Sequence, residues 1–243
     1  MNGAATPPSV GRLLQAMEAT WPAAACHPDG PFTLREGNGG GKRVSAATAC
    51  GPVTAADIAG AEAGMRALGQ PPLFLVRGGD ARLDAQLAAA GYRLIGPVVL
   101  YCAAAALLAD PAPPPLATFA LWPPLAITEA IWADAGIGAA RLAVMERVTG
   151  PKTSFLARAL SRSAGAAFVA CDGDIAMLHA LEVVPGLRRH KTASNILRSA
   201  AAWALDQGAV WLGVAVTVAN VPAGNLYTSL GMSVVGHYHY RQG

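Results

Sequence analysis

"MLHALEVVPGLRRHKTASNILRSAAAWALDQGA" (residues 177–209) hands a strand over to a helix. The apolar run at 176–184 reads as a strand. Pro185 turns the chain, and the apolar spacing from Thr192 to 207, closed by Gly208, reads as a helix. Arg188, Arg189, His190 and Lys191 crowd that junction in a chain with only 14% charged residues. A helix start carries unpaired N–H groups and the positive end of the helix dipole, so the junction suits an anion, and a phosphate-bearing ligand in particular. On charge alone, a solvated basic turn remains open.

Outward from this stretch, 210–218 reads as a strand, 222–230 as a short helix and 232–241 as a final strand. Upstream lie a strand near 116–121, a helical region from 123 to about 148, and strands near 153–159 and 165–171, with "CDGD" (171–174) as a turn. The resulting order β-α-α-β-β-β-α-β-α-β predicts a mixed α/β (α+β) domain with one crossover helix on a sheet. Pro111, Pro113, Pro114 and Pro115 punctuate the chain, so the expected division is 1–110, a linker at 111–117, and 118–243. Before the linker, residues 9–20 read as a helix. "FTLRE" (32–36) and "KRVSAATA" (42–49) read as strands joined by a flexible "GNGGG". A helix from Thr54 with a capping-box Asp57 follows, then strand, helix and strand to residue 102. Both halves set a short hairpin before alternating helix and strand, which suggests an internal duplication.

Composition bounds the function. With 243 residues and 53% hydrophobic content the chain can bury a core, and 18 Lys plus Arg against 15 Asp plus Glu leaves a formal charge of only +3. That charge is too thin for a nucleic-acid partner. Residues 208–236 hold no charged side chain, but Asn220, Pro222, Gly224 and Asn225 interrupt them, so no membrane span is expected. Met1 to Ala25 lacks the pattern of a signal peptide. Four cysteines without a C-x-x-C pair point away from zinc or a disulfide scaffold and toward a reducing, cytoplasmic location. His237 and His239 alternate as metal ligands can, but no third ligand is evident, and no metal is expected. "GNGGGK" fails as a P-loop because Glu36 and Arg43 stand where Gly and Ser or Thr are needed, and no G-x-G-x-x-G follows a strand.

From Leu178 to Arg198 the chain resembles motif A of the GNAT superfamily of N-acetyltransferases, whose Q/R-x-x-G-x-G/A loop holds the pyrophosphate of acetyl-CoA. The equivalent residues are Arg188, Arg189, His190, Lys191, Thr192 and Ala193, with Ser194 following. Lys191 replaces the first glycine, which a near-helical backbone would accommodate. "NVPAGNLYTSLGM" (220–232) resembles the family's N-x-x-A-x-x-L-Y-x-x-x-G-F segment through Asn220, Ala223, Leu226, Tyr227 and Gly231. The N-terminal half resembles the divergent leading half of two-domain GNAT proteins and shows no pyrophosphate loop.

The resemblance implies a mostly antiparallel central sheet flanked by helices, acetyl-CoA as co-substrate, and direct transfer of acetyl to a primary amine of a small molecule or a protein, by a monomer or homodimer. It implies that backbone N–H groups of Leu181 and Val183 hold the pantetheine and polarise the thioester, that Asn220 touches the pantetheine, and that Tyr227 lies near the sulfur as general acid. An alkylamine is mostly protonated at neutral pH and needs a base. His179 and Glu182 are the candidates, and strict strand alternation sets them on opposite faces unless a bulge intervenes. Lys191 and the loop-free leading half also support an alternative, a non-catalytic GNAT-like module that binds CoA or a partner.

Overall fold

The computed structural model describes residues 6–243. In chain order the elements are α1 (Val10–Ala19), β1 (Ala25–Asp29), β2 (Phe32–Glu36), α2 (Lys42–Ser45), β3 (Thr48–Ala49), α3 (Ala55–Ala67), β4 (Leu73–Arg77), α4 (Ala81–Ala89), β5 (Arg93–Ala104) and α5 (Ala105–Ala109). Then come β6 (Thr118–Leu121), α6 (Ala126–Asp134), α7 (Ala139–Arg147), β7 (Lys152–Ala159), β8 (Arg162–Asp172), β9 (Ile175–Val183), α8 (Thr192–Asp206), β10 (Trp211–Thr217), α9 (Val221–Ser229) and β11 (Ser233–Gln242). From β6 onward the order matches the one read from the sequence. The capping box at Thr54 and Asp57 forms as expected, with Thr54 N–H donating to Asp57 at 2.8 Å.

Eight strands form one sheet in the order β4-β11-β5-β10-β9-β8-β7-β6, antiparallel throughout except where β10 runs parallel to β9. Strand β5, from the leading half, lies between β10 and β11, so the sheet continues across both sides of the Pro-rich segment 111–117. An offset of 140 residues exchanges the pair Arg77–Tyr238 with Thr217–Val98, and Leu73–Gln242 with Gly213–Cys102. The β5–β11 ladder maps onto itself under the same offset, Arg93–Gln242 exchanging with Ser233–Cys102. Residues 91–100 and 231–240 also share one burial pattern, position by position. The two halves are therefore related by a local two-fold axis through the β5–β11 seam.

On one face of the sheet α8 buries Ile196, Leu197, Ala200, Ala201 and Ala204 against Leu178, Leu212 and Val214. Full burial of Ile196 and Leu197 contributes roughly 1.5–3 kcal/mol each. On the other face α1 buries Leu13, Ala16 and Met17 against Ile175 and Met177. Gly213 of β10 permits this approach, since a Cβ there would lie 2.6 Å from Met177 Sδ and 2.8 Å from Leu13. Arg12 ties α1 to the β8–β9 turn through Asp172 (2.6 Å) and Asp174 (3.0 Å). The helical region after residue 123 divides at Gly136 into α6 and α7, which close over Trp132, Val144, Met145 and Phe168.

One expected strand is corrected. Residues 42–49 form α2 and the two-residue β3, and "GNGGG" is a packed turn. Gly40 N–H donates to Gly37 C=O at 2.8 Å, and a Cβ at Gly40 would meet Val144 at 2.6 Å and Val44 at 2.9 Å. Gly41 sits at φ 101 as the N-cap of α2, a conformation that L side chains rarely adopt. Strand β1 and helix α5 were not anticipated.

Candidate active site

Strands β9 and β10 pair only from Ile175–Trp211 to Leu178–Val214, after which they diverge. A bulge in β9 begins at this point. Phe168 faces His179 and Ala166 faces Glu182, so β9 inserts one extra residue, and Ala180 takes φ 51. Trp132 of α6 donates its indole N–H to the Ala180 carbonyl at 2.8 Å and holds the bulge in place. Sequence reading missed this tryptophan, because nothing near it in the chain marks the contact.

The bulge resets the alternation of the strand. His179 and Glu182 now share the α1 face, while Leu178 and Leu181 pack toward α8. Val184 N–H donates to Ala164 on β8, so alternation turns the N–H groups of Leu181 and Val183 toward the opened side where β10 has left.

The opening contains a cavity of about 430 Å³, lined by His179, Leu181, Glu182, Asn220 and Tyr227, with Arg43 across it. Tyr227 is almost fully buried beside Tyr101, with ring centroids 5.5 Å apart. Burial, reinforced by the negative charge of Glu182, pushes its hydroxyl up to about 12. Glu182 is half-buried, and desolvation raises its carboxyl above the usual range, although Arg188 and Arg141 oppose the shift. Asn220 caps α9, its side-chain oxygen accepting from Ala223 N–H at 3.3 Å, and Ala223 packs against the α8-side core.

Both ring nitrogens of His179 are occupied. Arg43 Nη1 donates to Nδ1 at 3.0 Å, which puts the proton on Nε2, and Nε2–H meets Thr20 Oγ1 at 2.9 Å. The Thr20 hydroxyl in turn donates to the Ala16 carbonyl at 2.6 Å. Burial and the Arg43 charge hold the imidazole well below its usual 6.5, so it stays neutral. Trp21 packs over the ring at 5.0 Å.

At the α8 start, Arg188, Arg189, His190 and Lys191 are exposed and make no ion pair among the described residues. Lys191 is the N-cap, at φ 60 and ψ 12, and Arg189 has φ 68. The near-helical backbone that would accommodate Lys191 without strain is therefore not the one adopted, and the residue takes the left-handed geometry that favours glycine. Ser194 Oγ donates to the Lys191 carbonyl at 2.8 Å, and the first helical bond is Asn195 N–H to that same carbonyl. Among the described residues, the six backbone N–H groups from Arg189 to Ser194 have no acceptor. Thr192 is buried, and its hydroxyl is also unpartnered. Gly165 lets the helix start approach the sheet, since a Cβ there would lie 3.0 Å from Thr192 Cγ2 and 3.4 Å from Ile196.

Residues 127–232 match the model of the acetyltransferase (GNAT) family. The matched segment covers 106 of the 243 residues. It spans α6 through α9 and includes the diverging strands, the bulge and the α8 start. Three solved structures share the fold over most of the chain, two of them described as GNAT proteins. A GCN5-related N-acetyltransferase from Kribbella flavida has a TM-score of 0.70 at 16% identity, covering 97% of this chain and 96% of that one. A conserved protein of unknown function from Staphylococcus epidermidis has a TM-score of 0.68 at 11% identity, covering 88% and 91%. A tandem GNAT protein from the clavulanic acid biosynthesis pathway has a TM-score of 0.62 at 16% identity, covering 82% and 74%. No curated protein matches the chain. No helix among the described residues is long and apolar enough to cross a membrane.

Proposed function

We propose that the protein is an acetyl-CoA-dependent N-acetyltransferase that moves acetyl directly to a primary amine. The observation that carries this reading is a run of six unpaired main-chain N–H groups, ringed by four basic side chains, at the start of the helix that leaves the splayed strand. Such a run suits a diphosphate, because each amide gains an anionic acceptor without any rearrangement of the chain. Bound acetyl-CoA would supply an activated acyl thioester.

The diphosphate would be held by the N–H groups of Arg189 to Ser194, helped by the side chains of Arg188, Arg189, His190 and Lys191. The N–H groups of Leu181 and Val183 face the gap left by β10 and offer donors to an acyl carbonyl and its arm. Asn220, at the rim of the same cavity, keeps its amide NH₂ available for the arm. On the α8 side, Tyr227 retains its proton at neutral pH and can deliver it to a leaving thiolate. On the α1 side, Glu182 has a raised carboxyl pKa and no ion-pair partner among the described residues. It is the base for an incoming ammonium. With both ring nitrogens of His179 engaged, its part is to fix Arg43 in the cavity wall. Acceptor and donor then meet from opposite faces of the sheet, through the opening between β9 and β10.

Thermal unfolding with acetyl-CoA tests the reading. A ligand at 100 times its dissociation constant adds about 2.7 kcal/mol of stability. A rise in Tm with acetyl-CoA, followed by free-thiol release with an amine panel, is expected. No rise at millimolar acetyl-CoA removes the reading, and a rise without thiol release for any amine favours a binding module.

A further inference from the structure

The cavity is lined by three cations, Lys42, Arg43 and Arg141, against one carboxylate, Glu182. None of the three cations makes an ion pair with any described residue. Arg43 is the unusual one. Its Nη1 donates to a neutral histidine, and its Nε is sealed from solvent with no acceptor. The hydroxyls of Tyr238 and Tyr240 lie within hydrogen-bonding reach of the guanidinium, but they supply no ion pair. Tyr238 turns its hydroxyl to Met17 Sδ at 3.8 Å, and burial raises Tyr240 far above its usual value, so that it stays protonated. Arg43 is only partly exposed, and a guanidinium partly withdrawn from water without a counter-charge is costly, so such a group is normally paired.

The chain nevertheless builds a rigid seat for this charge. Gly40 and Gly41 pack the turn against α7, α2 starts immediately after, and the relay Arg43–His179–Thr20–Ala16 locks the guanidinium to α1. The missing anion is not supplied by the residues around the cavity. Nor would the diphosphate of the acyl donor supply it, since the α8 start lies on the other face of the sheet.

We propose that the acceptor carries a carboxylate as well as its amine, and that Arg43 binds that carboxylate with Lys42 and Arg141 close by. This rests on the acyl-transfer reading for the amine, which Glu182 receives. The acceptor is then of the amino-acid class, with its anionic end at α2 and its ammonium end at β9. A planar guanidinium matches a carboxylate with two parallel N–H donors, which a neutral amide or an alkylamine cannot use in the same way.

The test measures Tm of the full chain without acetyl-CoA, in a chloride background. The probes are acetate, glycine and β-alanine, their matched amides, methylamine and inorganic phosphate. The expected result is that the carboxylates raise Tm and the amides and methylamine do not. Arg43→Met should abolish the carboxylate response. Arg43→Lys, which keeps the charge and loses the fork, should weaken carboxylate affinity by about 10-fold. Equal responses to acid and amide, a phosphate response stronger than the carboxylate one and lost in Arg43→Met, no carboxylate response in wild type, or one undiminished in both variants would each overturn the proposal. If Arg43→Met fails to fold, Arg43→Lys alone decides between these outcomes. Because no acyl donor is present, a carboxylate response without an acetyl-CoA response would keep this site and remove the transferase reading, and the reverse would do the opposite.

Discussion

Lys191→Gly separates two properties that meet in one residue, a strained backbone and a cation beside the unpaired amides. At φ 60 and ψ 12 a residue with a Cβ costs about 1–2 kcal/mol, which glycine avoids. Glycine returns roughly 0.5–1 kcal/mol of that through its freer unfolded chain. The net expectation is a gain of about 0.5–1 kcal/mol, or about 1–4 °C in Tm for a chain of this length. The exposed ammonium should contribute up to about 1 kcal/mol to a bound diphosphate, so acetyl-CoA affinity should fall about fivefold, and less at high salt. Calorimetric unfolding and isothermal titration at two ionic strengths measure both effects, with Lys191→Ala as a control that loses the charge and keeps the strain. A lower Tm for Lys191→Gly would refute the backbone argument. Tighter acetyl-CoA binding would mean that Lys191 obstructs the cradle.

Tyr227→Phe keeps the ring packed beside Tyr101 and removes only the hydroxyl. Thiol release should slow by on the order of 100-fold while acetyl-CoA affinity by titration stays unchanged, and unchanged turnover would acquit Tyr227. For Glu182, whose carboxyl pKa is raised by desolvation, the wild-type rate should climb through a pH above the ordinary carboxylate value of 4.5. Glu182→Gln should lose that limb of the pH profile. His179 has a depressed folded-state pKa, so between that value and 6.5 the unfolded chain binds more protons and stability rises with pH. Denaturant unfolding should therefore show stability falling as pH drops below 6.5, by up to about 1.4 kcal/mol per pH unit, and His179→Gln should flatten that slope.

The elements after residue 118 were legible because their signals are local. Pro185, the period-3.6 run from Thr192 and Gly208 fix α8 without reference to anything distant, and the α9 motif does the same for Tyr227. What was hidden depends on contacts across the chain. Nothing around Trp132 marks a partner at Ala180, so the bulge that unites His179 with Glu182 could be allowed for but not placed. The alternation in "KRVSAATA" mimics a strand because Val44 and Ala46 are buried, yet the burial comes from α7 and β4 packing on a helical turn. Arg43 carried no signal as a site residue. Its isolation is visible only once α1, β9 and β11 surround it, and the charge total of the chain says nothing about where a counter-ion is missing.

Strand β11 is the ladder partner of β4 and of one side of β5, and it begins only at Ser233, long after β5 ends at Ala104. During synthesis the leading half therefore waits with two open strand edges until β11 leaves the ribosome. Cutting the chain at its prolines would divide a continuous ladder, with each fragment retaining the edge that the other was meant to cover. Such fragments would aggregate when made separately and reassemble when produced together.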